Sequence, residues 1–277
     1  MALYIQTNVA SLEAQRNLAG TQKSQAMNFQ KLSSGLRINS AADDAAGLGI
    51  SQSLSAQIGS LSVAERNSNN AISMAQTAES ALGQVGTILS RMRELSVQGA
   101  NGDLTATDRG YLDTEFTSLR DEITRISDST KFNGKNLLSG AATVTTFQVG
   151  INNTTADHID ITFGGVDTTT LGINTSTLAG ATAASSQSAI DSIDAAISTV
   201  STKRADFGAS MNRMASTVSN LQSMRTNMTA ANSRIRDVDV AEETASMSRN
   251  QVLSQAAVAV LTQANQAPQL ALSLLRG

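Results

Sequence analysis

The one histidine, His158, stands between Asp157 and Asp160, and a histidine beside a carboxylate is the smallest unit of general acid–base or metal chemistry. Here it falls where alternating polar and apolar residues turn back on themselves, so a solvated turn is its expected setting. Asp43-Asp44 offers a second pairing of carboxylates. Adjacent residues diverge on a helix, however, and acids just ahead of a helix start serve the positive end of its dipole. Capping is therefore the expected role. Gly47-Leu48-Gly49-Ile50-Ser51 has the glycines of a phosphate or nucleophile turn, but no strand precedes it and the surrounding pattern is helical. The nine methionines sit mostly at helical spacing, where they fill seams. Asn152 and Asn153 begin Asn-x-Thr triplets, which mark an exposed loop and nothing further. No catalytic residue, cofactor-binding residue or metal ligand is assigned, and the chain is expected not to be an enzyme.

What the chain has instead is length without aromatic anchors. Its 277 residues are 40% hydrophobic but only 3% aromatic, with no Trp, two Tyr, six Phe and a single Pro at position 268. Such a composition buries apolar area along thin helical seams and permits very long helices. The net charge of −3 comes from 20 basic and 23 acidic residues spread along the sequence, without the basic stripe or stacking platform that nucleic acid requires. There is no cysteine, hence no disulfide framework and no thiolate metal site. Met1 to Val9 lack a basic segment followed by an apolar one, and no run approaches a membrane span. Neither nucleic acid nor membrane is an expected partner, and export would use a route that reads no cleavable signal.

The periodicity assigns the elements. Ile190, Ile193, Ile197, Val200, Arg204, Phe207, Met211, Met214, Val218, Leu221, Arg225, Met228, Asn232 and Ile235 follow at 3–4 spacing, a seam of about six heptads. The polar members Arg204, Arg225 and Asn232 are expected to fix register and partner. A matching seam runs from Leu54 through Leu61, Ala64, Ser68, Ala78, Leu82, Val85 and Leu89 to Met92. Helices over Asp44 to Gly99 and Ser186 to Ile235 would span about 84 and 75 Å and can lie side by side. Asn101-Gly102-Asp103 breaks the first, Thr105 with Asp108 forms a capping box, and Leu112, Phe116, Leu119, Ile123 and Ile126 begin a third helix. Between Ser139 and Ser185 the period becomes two. Thr143 to Ile151 and His158 to Phe163 read as a β-hairpin, with Val166 to Leu178 as a further extended arm, together a short exposed insert.

At the chain ends Ile5, Leu12, Ala19 and Ala26 recur every seven residues with Val9 between them. Leu253, Ala257, Val260, Ala264, Ala267, Ala271 and Leu274 keep 4–3 spacing. Polar linkers over Ser33 to Asp43 and Arg236 to Glu243 set these helices apart. An alanine-rich pair has too little area to hold itself together, so it is expected to be mobile alone and to order against neighbouring copies. The fold class is thus mainly α: a long antiparallel helical bundle or coiled coil with terminal amphipathic helices and a small β-hairpin insert. The expected divisions are 1–43 with 236–277 as terminal helices, 44–138 with 186–235 as the central bundle, and 139–185 as the insert.

The stretch Leu32-Ser33-Ser34-Gly35-Leu36-Arg37-Ile38-Asn39-Ser40-Ala41-Ala42-Asp43-Asp44-Ala45-Ala46-Gly47-Leu48 resembles the signature of bacterial flagellins. So do Met247 to Leu253, Gln263 to Gln266 and Leu272-Ser273-Leu274-Leu275-Arg276. The resemblance covers roughly residues 1–138 and 186–277 and implies a structural subunit of the extracellular flagellar filament used for motility. It implies a helical homopolymer whose termini form an inner tube through Ile5, Val9, Leu12, Leu253, Ala257, Val260, Ala264 and Leu274. The short middle implies a minimal form without large outer domains. Implied partners are a flagellar export chaperone, the type III export apparatus, hook-associated and cap proteins, and vertebrate innate immune receptors. Arg91, Leu95 and Glu115 match the family's contact motif for the cell-surface receptor. Leu272, Leu274 and Leu275 resemble the segment read by the cytosolic sensor, with Ala271 in place of the more usual Val. The alternatives are a hook–filament junction protein, which shares both termini, and a soluble coiled-coil binding module, which would form discrete particles when concentrated.

Overall fold

The structure, a computed structural model, describes residues 7–276, with the side chains of residues 7–266. Five helices carry it: α1 (Val9–Ser34), α2 (Ala45–Gly99), α3 (Ala106–Ser129), α4 (Ala184–Arg236) and α5 (Val240–Arg276). The strands are β1 (Lys131–Phe132), β2 (Lys135–Asn136), β3 (Thr143–Gln148) and β4 (His158–Phe163). The chain divides into two compact units, one of residues 57–226 and one of residues 1–56 with 227–277.

In the larger unit α2 and α4 run antiparallel, and the ion pairs across them give the register. Arg93 meets Asp194 at 2.6 Å, Glu79 meets Arg204 at 2.7 Å, and Glu65 meets Arg225 at 2.9 Å. The polar seam residues Arg204 and Arg225 thus reach α2, as partner-fixing residues should. The buried face of α4 is Ser186, Ala189, Ile193, Ala196, Val200, Phe207, Met214 and Leu221. It is turned slightly from the expected seam, because the small residues Ala189 and Ala196 take the closest approach while Ile197 and Met211 pack at the margin. α3 starts with the expected capping box: Asp108 N donates to Thr105 Oγ1 at 3.3 Å and Thr105 N to Asp108 Oδ2 at 3.0 Å. The Thr105 hydroxyl, donating to Asp108 Oδ2 at 2.7 Å, and then the Thr105 N–H hold the Asp108 carboxyl below the usual range. Phe116 and Ile123 of α3 are fully buried against the pair.

β3 and β4 form the expected antiparallel hairpin, Thr143 opposite Phe163 and Gln148 opposite His158. It is not an exposed appendage. Ile159, Ile161 and Phe163 enter the same core as the helices, and the Phe163 ring lies 5.3 Å from that of Phe207 on α4. A second hairpin, β1–β2, escaped the sequence reading although its Asn133-Gly134 turn, with φ of 50° and 79°, carries the usual two-residue signature.

Residues 166–178 are a chain of turns rather than an extended strand. Side chains of α3 take up the backbone groups that a sheet would have used. Asp113 accepts from Leu178 N at 2.6 Å and from Thr177 Oγ1 at 2.8 Å, and Arg120 donates to Asn174 O and Ser176 O at 3.2 and 3.3 Å. Val166, Leu171, Ile173 and Leu178 sit in the core beneath.

In the smaller unit α1 packs on α5. The segment after α1 is braced to the end of α4: Arg37 donates to Ile235 O at 2.6 Å, and the backbones join through Arg37 N to Arg236 O and Val238 N to Gly35 O. Asp43 accepts from Ser40 N, Ser40 Oγ and Asn39 N, and these bonds lower its pKa. Asp44 Oδ1 accepts from Gly47 N at 2.8 Å, capping α2. A Cβ on Gly47 would meet the Asp44 carboxyl at 2.4 Å and Ile38 at 2.7 Å, so a larger residue there must displace the capping side chain or the buried Ile38. The second expected linker is shorter than Arg236 to Glu243. α5 already begins at Val240, because Asp239 caps it by accepting from Ala241 N and Glu242 N, and Glu242 and Glu243 suit its first turn.

Candidate assembly surface

The meeting faces of α1 and α5 are small and polar. α1 buries Ser11, Ala14 and Asn28, and α5 answers with half-buried Ser246, Asn250, Ser254, Ala257, Leu261 and Ala264. Asn8 Nδ2 donates to Ala264 O at 2.8 Å, and Ser11 Oγ lies 2.7 Å from Asn265 Oδ1. Many of the large apolar residues point outward, while Leu18, Leu32, Met247 and Leu261 are half buried. Val9, Leu12, Leu253 and Val260 are 61%, 56%, 50% and 57% exposed, and Phe29, Val252 and Val258 are exposed with them. A groove of about 640 Å³ along the pair is lined by Leu253, Ala256, Ala257, Val260, Ala14 and polar residues of α1.

The residues read from sequence as one assembly seam therefore occupy two faces. Ala257 and Ala264 lie against α1, whereas Val9, Leu12, Leu253 and Val260 are open. Ile5 and the side chains of Leu272, Leu274 and Leu275 lie outside the described residues. A 4–3 repeat on an alanine-rich helix marks a stripe without saying which of its edges meets which partner; Asn28, buried on the intramolecular face near the end of α1, carries no apolar signal and was missed.

Arg91, Leu95 and Glu115 are brought together, but not all at the surface. Arg91, half exposed, donates to Glu94 at 3.0 Å and to Glu115 at 2.9 Å, and both bonds raise its pKa further. Leu95 is 1% exposed and belongs to the core. The folded chain therefore does not present it to a partner as an apolar anchor.

His158 opens β4 rather than a solvated turn. It is half buried, and its Nδ1 is enclosed without a hydrogen-bond partner. No group of three His, Cys, Asp or Glu among the described residues is arranged to hold a metal, and no described helix is long and apolar enough to cross a membrane.

Comparison with known proteins adds the following. The family model of the bacterial flagellin N-terminal helical region matches residues 5–143, and that of the C-terminal helical region matches residues 190–275. A flagellin of Halalkalibacterium halodurans is 43% identical over 274 residues, covering 99% of this chain and all of that protein. The flagellar filament 33 kDa core protein of Treponema phagedenis is 41% identical over 286 residues, again covering 99% of this chain and all of the relative. Among solved structures, a Vibrio parahaemolyticus protein named for the flagellar hook-associated group superposes with a TM-score of 0.59 over 70% of this chain and all of its own. Its identity is 18%, so the likeness is one of fold.

Proposed function

Because this chain belongs to the bacterial flagellin family and is a structural subunit that polymerises into the flagellar filament, we propose that the open apolar face of α1 and α5 makes its innermost subunit contacts. The observation that supports this is the outward exposure of Val9, Leu12, Leu253 and Val260 on helices whose polar faces are already paired. Fully burying such a side chain contributes about 1.5 to 3 kcal/mol, and these are already partly covered, so several per subunit acting together are needed to offset the cost of association. A contact of this kind, repeated head to tail without closing, makes a filament. Residues 1–43 and 236–277 then form the inner tube, and 44–138 with 186–235 the shell around it.

The test is Leu253→Asp and Val260→Asp, each placing a charge where the polymer would bury it. Neither should change the thermal unfolding of the soluble chain, since both positions are open, and both should abolish pelleting and filaments under the electron microscope. Filaments of normal length from either variant would exclude that position from the contact.

The finer partners follow the same reading. The filament lies outside the cell, reached through the type III export apparatus, with an export chaperone covering α5 beforehand and hook-associated and cap proteins at the filament's two ends. The released monomer offers Arg91 and Glu115 to the vertebrate cell-surface receptor, and Leu272, Leu274 and Leu275 to the cytosolic sensor. The junction-protein alternative is not favoured, since near-complete coverage at 43% identity lies with flagellins.

A further inference from the structure

An ordinary amphipathic helix pair buries its apolar stripe and leaves its polar one wet. α1 and α5 leave much of their apolar stripe open, and a polar group buried where the end of α1 meets the start of α5 is fully provided for. Asn28 is 7% exposed. In the amide orientation that sets donors against acceptors, it donates to Glu243 Oε1 and to Ser24 O, each at 2.9 Å. In that orientation it also accepts from Met247 N at 3.1 Å and from Asn250 Nδ2 at 3.2 Å. Four bonds are the whole capacity of a side-chain amide. Three of the four partners lie on α5, within two turns of one another.

The remainder of the contact holds a register only at its other end, where Asn8 Nδ2 to Ala264 O and Ser11 Oγ to Asn265 Oδ1 are part-buried bonds that water can replace. Ala14, Ala257 and Ala264 are small, and alanine-lined helices slide past one another with few clashes. A slip of one turn would carry Glu243 and Asn250 away from Asn28 and leave a buried amide unpaired, which is costly. We propose that Asn28 is the specificity-determining residue of the α1–α5 pair: it fixes one register, and with it the relative placement of Val9 and Leu12 on α1 and Leu253 and Val260 on α5 as one outward surface. A single buried asparagine setting register at a cost in stability is well attested in paired helices. The inference rests on the reading that this outward surface makes the polymer contacts.

The chain contains no cysteine, so paired cysteines report register without background. Ser11→Cys with Asn265→Cys probes the observed register, where the two side chains touch; Ser11→Cys with Leu261→Cys probes a slip of one turn. Both pairs are made with Asn28 intact and with Asn28→Leu, and oxidative crosslinking is read on soluble chain and on any polymer that pellets. With Asn28 intact, only the first pair should crosslink. With Asn28→Leu, the slipped pair should crosslink to a comparable extent, while the thermal stability of the chain is unchanged or raised. Crosslinking that stays confined to the first pair in Asn28→Leu would overturn the proposal, as would absence of the first crosslink from both states when Asn28 is intact. Pelleting is scored separately: a slipped register with normal filaments would uphold Asn28 as the register residue and contradict the polymer-contact reading instead.

Discussion

Arg109 is 3% exposed, and its guanidinium donates to three backbone carbonyls: Gly99 O at 2.9 Å, Asn101 O at 3.0 Å and Ala181 O at 3.4 Å. Two of these close the C-terminal end of α2, where the helix dipole favours a cation, and the third ties down the segment leading into α4. Arg109→Ala leaves these carbonyls without their donor and should cost about 2 to 4 kcal/mol. Arg109→Lys keeps the charge but not the planar fork, and should cost less without restoring full stability. Chemical denaturation checks both; an Arg109→Ala chain as stable as the parent would mean that water replaces the guanidinium. Little of this was legible in the sequence. Thr105 and Asp108 were readable because a capping box is local, three residues apart. Arg109 reaches across a turn to Gly99 and Asn101 and on to Ala181, while Asn28 binds Glu243, Met247 and Asn250 at the other end of the chain. No spacing along the chain records that.

At the scale of elements, long repeats were readable and what lay between them was not. The seams of α2 and α4, the capped start of α3 and the β3–β4 hairpin each announce themselves through a period of 3.6 or 2. The segment 166–178 shows strand composition, yet Asp113 and Arg120 of α3 compete for its backbone and win. The end of α4 and start of α5 looked like a linker because Glu242 and Glu243 are polar, although acids there stabilise a helix start. The same distinction between pattern and placement decides the receptor motif on α2. Leu95→Ala removes a core side chain and should destabilise the larger unit by about 2 to 5 kcal/mol. Arg91→Ala breaks ion pairs that stand in water, where screening leaves them little weight in stability. If Arg91 and Glu115 form the receptor surface, Arg91→Ala should weaken signalling by soluble monomer at nearly unchanged melting temperature. An unchanged dose–response from the folded variant would remove Arg91 from that surface.

For the whole molecule, the division of apolar residues between the units carries the functional argument. The larger unit gathers its apolar residues from α2, α3, α4 and the hairpins into one core. The smaller unit encloses polar side chains between α1 and α5 and turns Val9, Leu12, Leu253 and Val260 outward. On the proposed reading this open area is kept for neighbouring copies, the expectation that the alanine-rich terminal repeats raise. The direct check uses the cysteine-free background. Leu12→Cys and Val260→Cys chains are treated with a thiol-alkylating reagent as soluble monomer and as washed filaments. Both positions should label freely in the monomer and be protected on the order of tenfold or more in the filament, with an exposed control at Tyr111→Cys labelled alike in the monomer. Equal labelling rates for Leu12→Cys and Val260→Cys in monomer and filament would contradict the burial of this face on assembly.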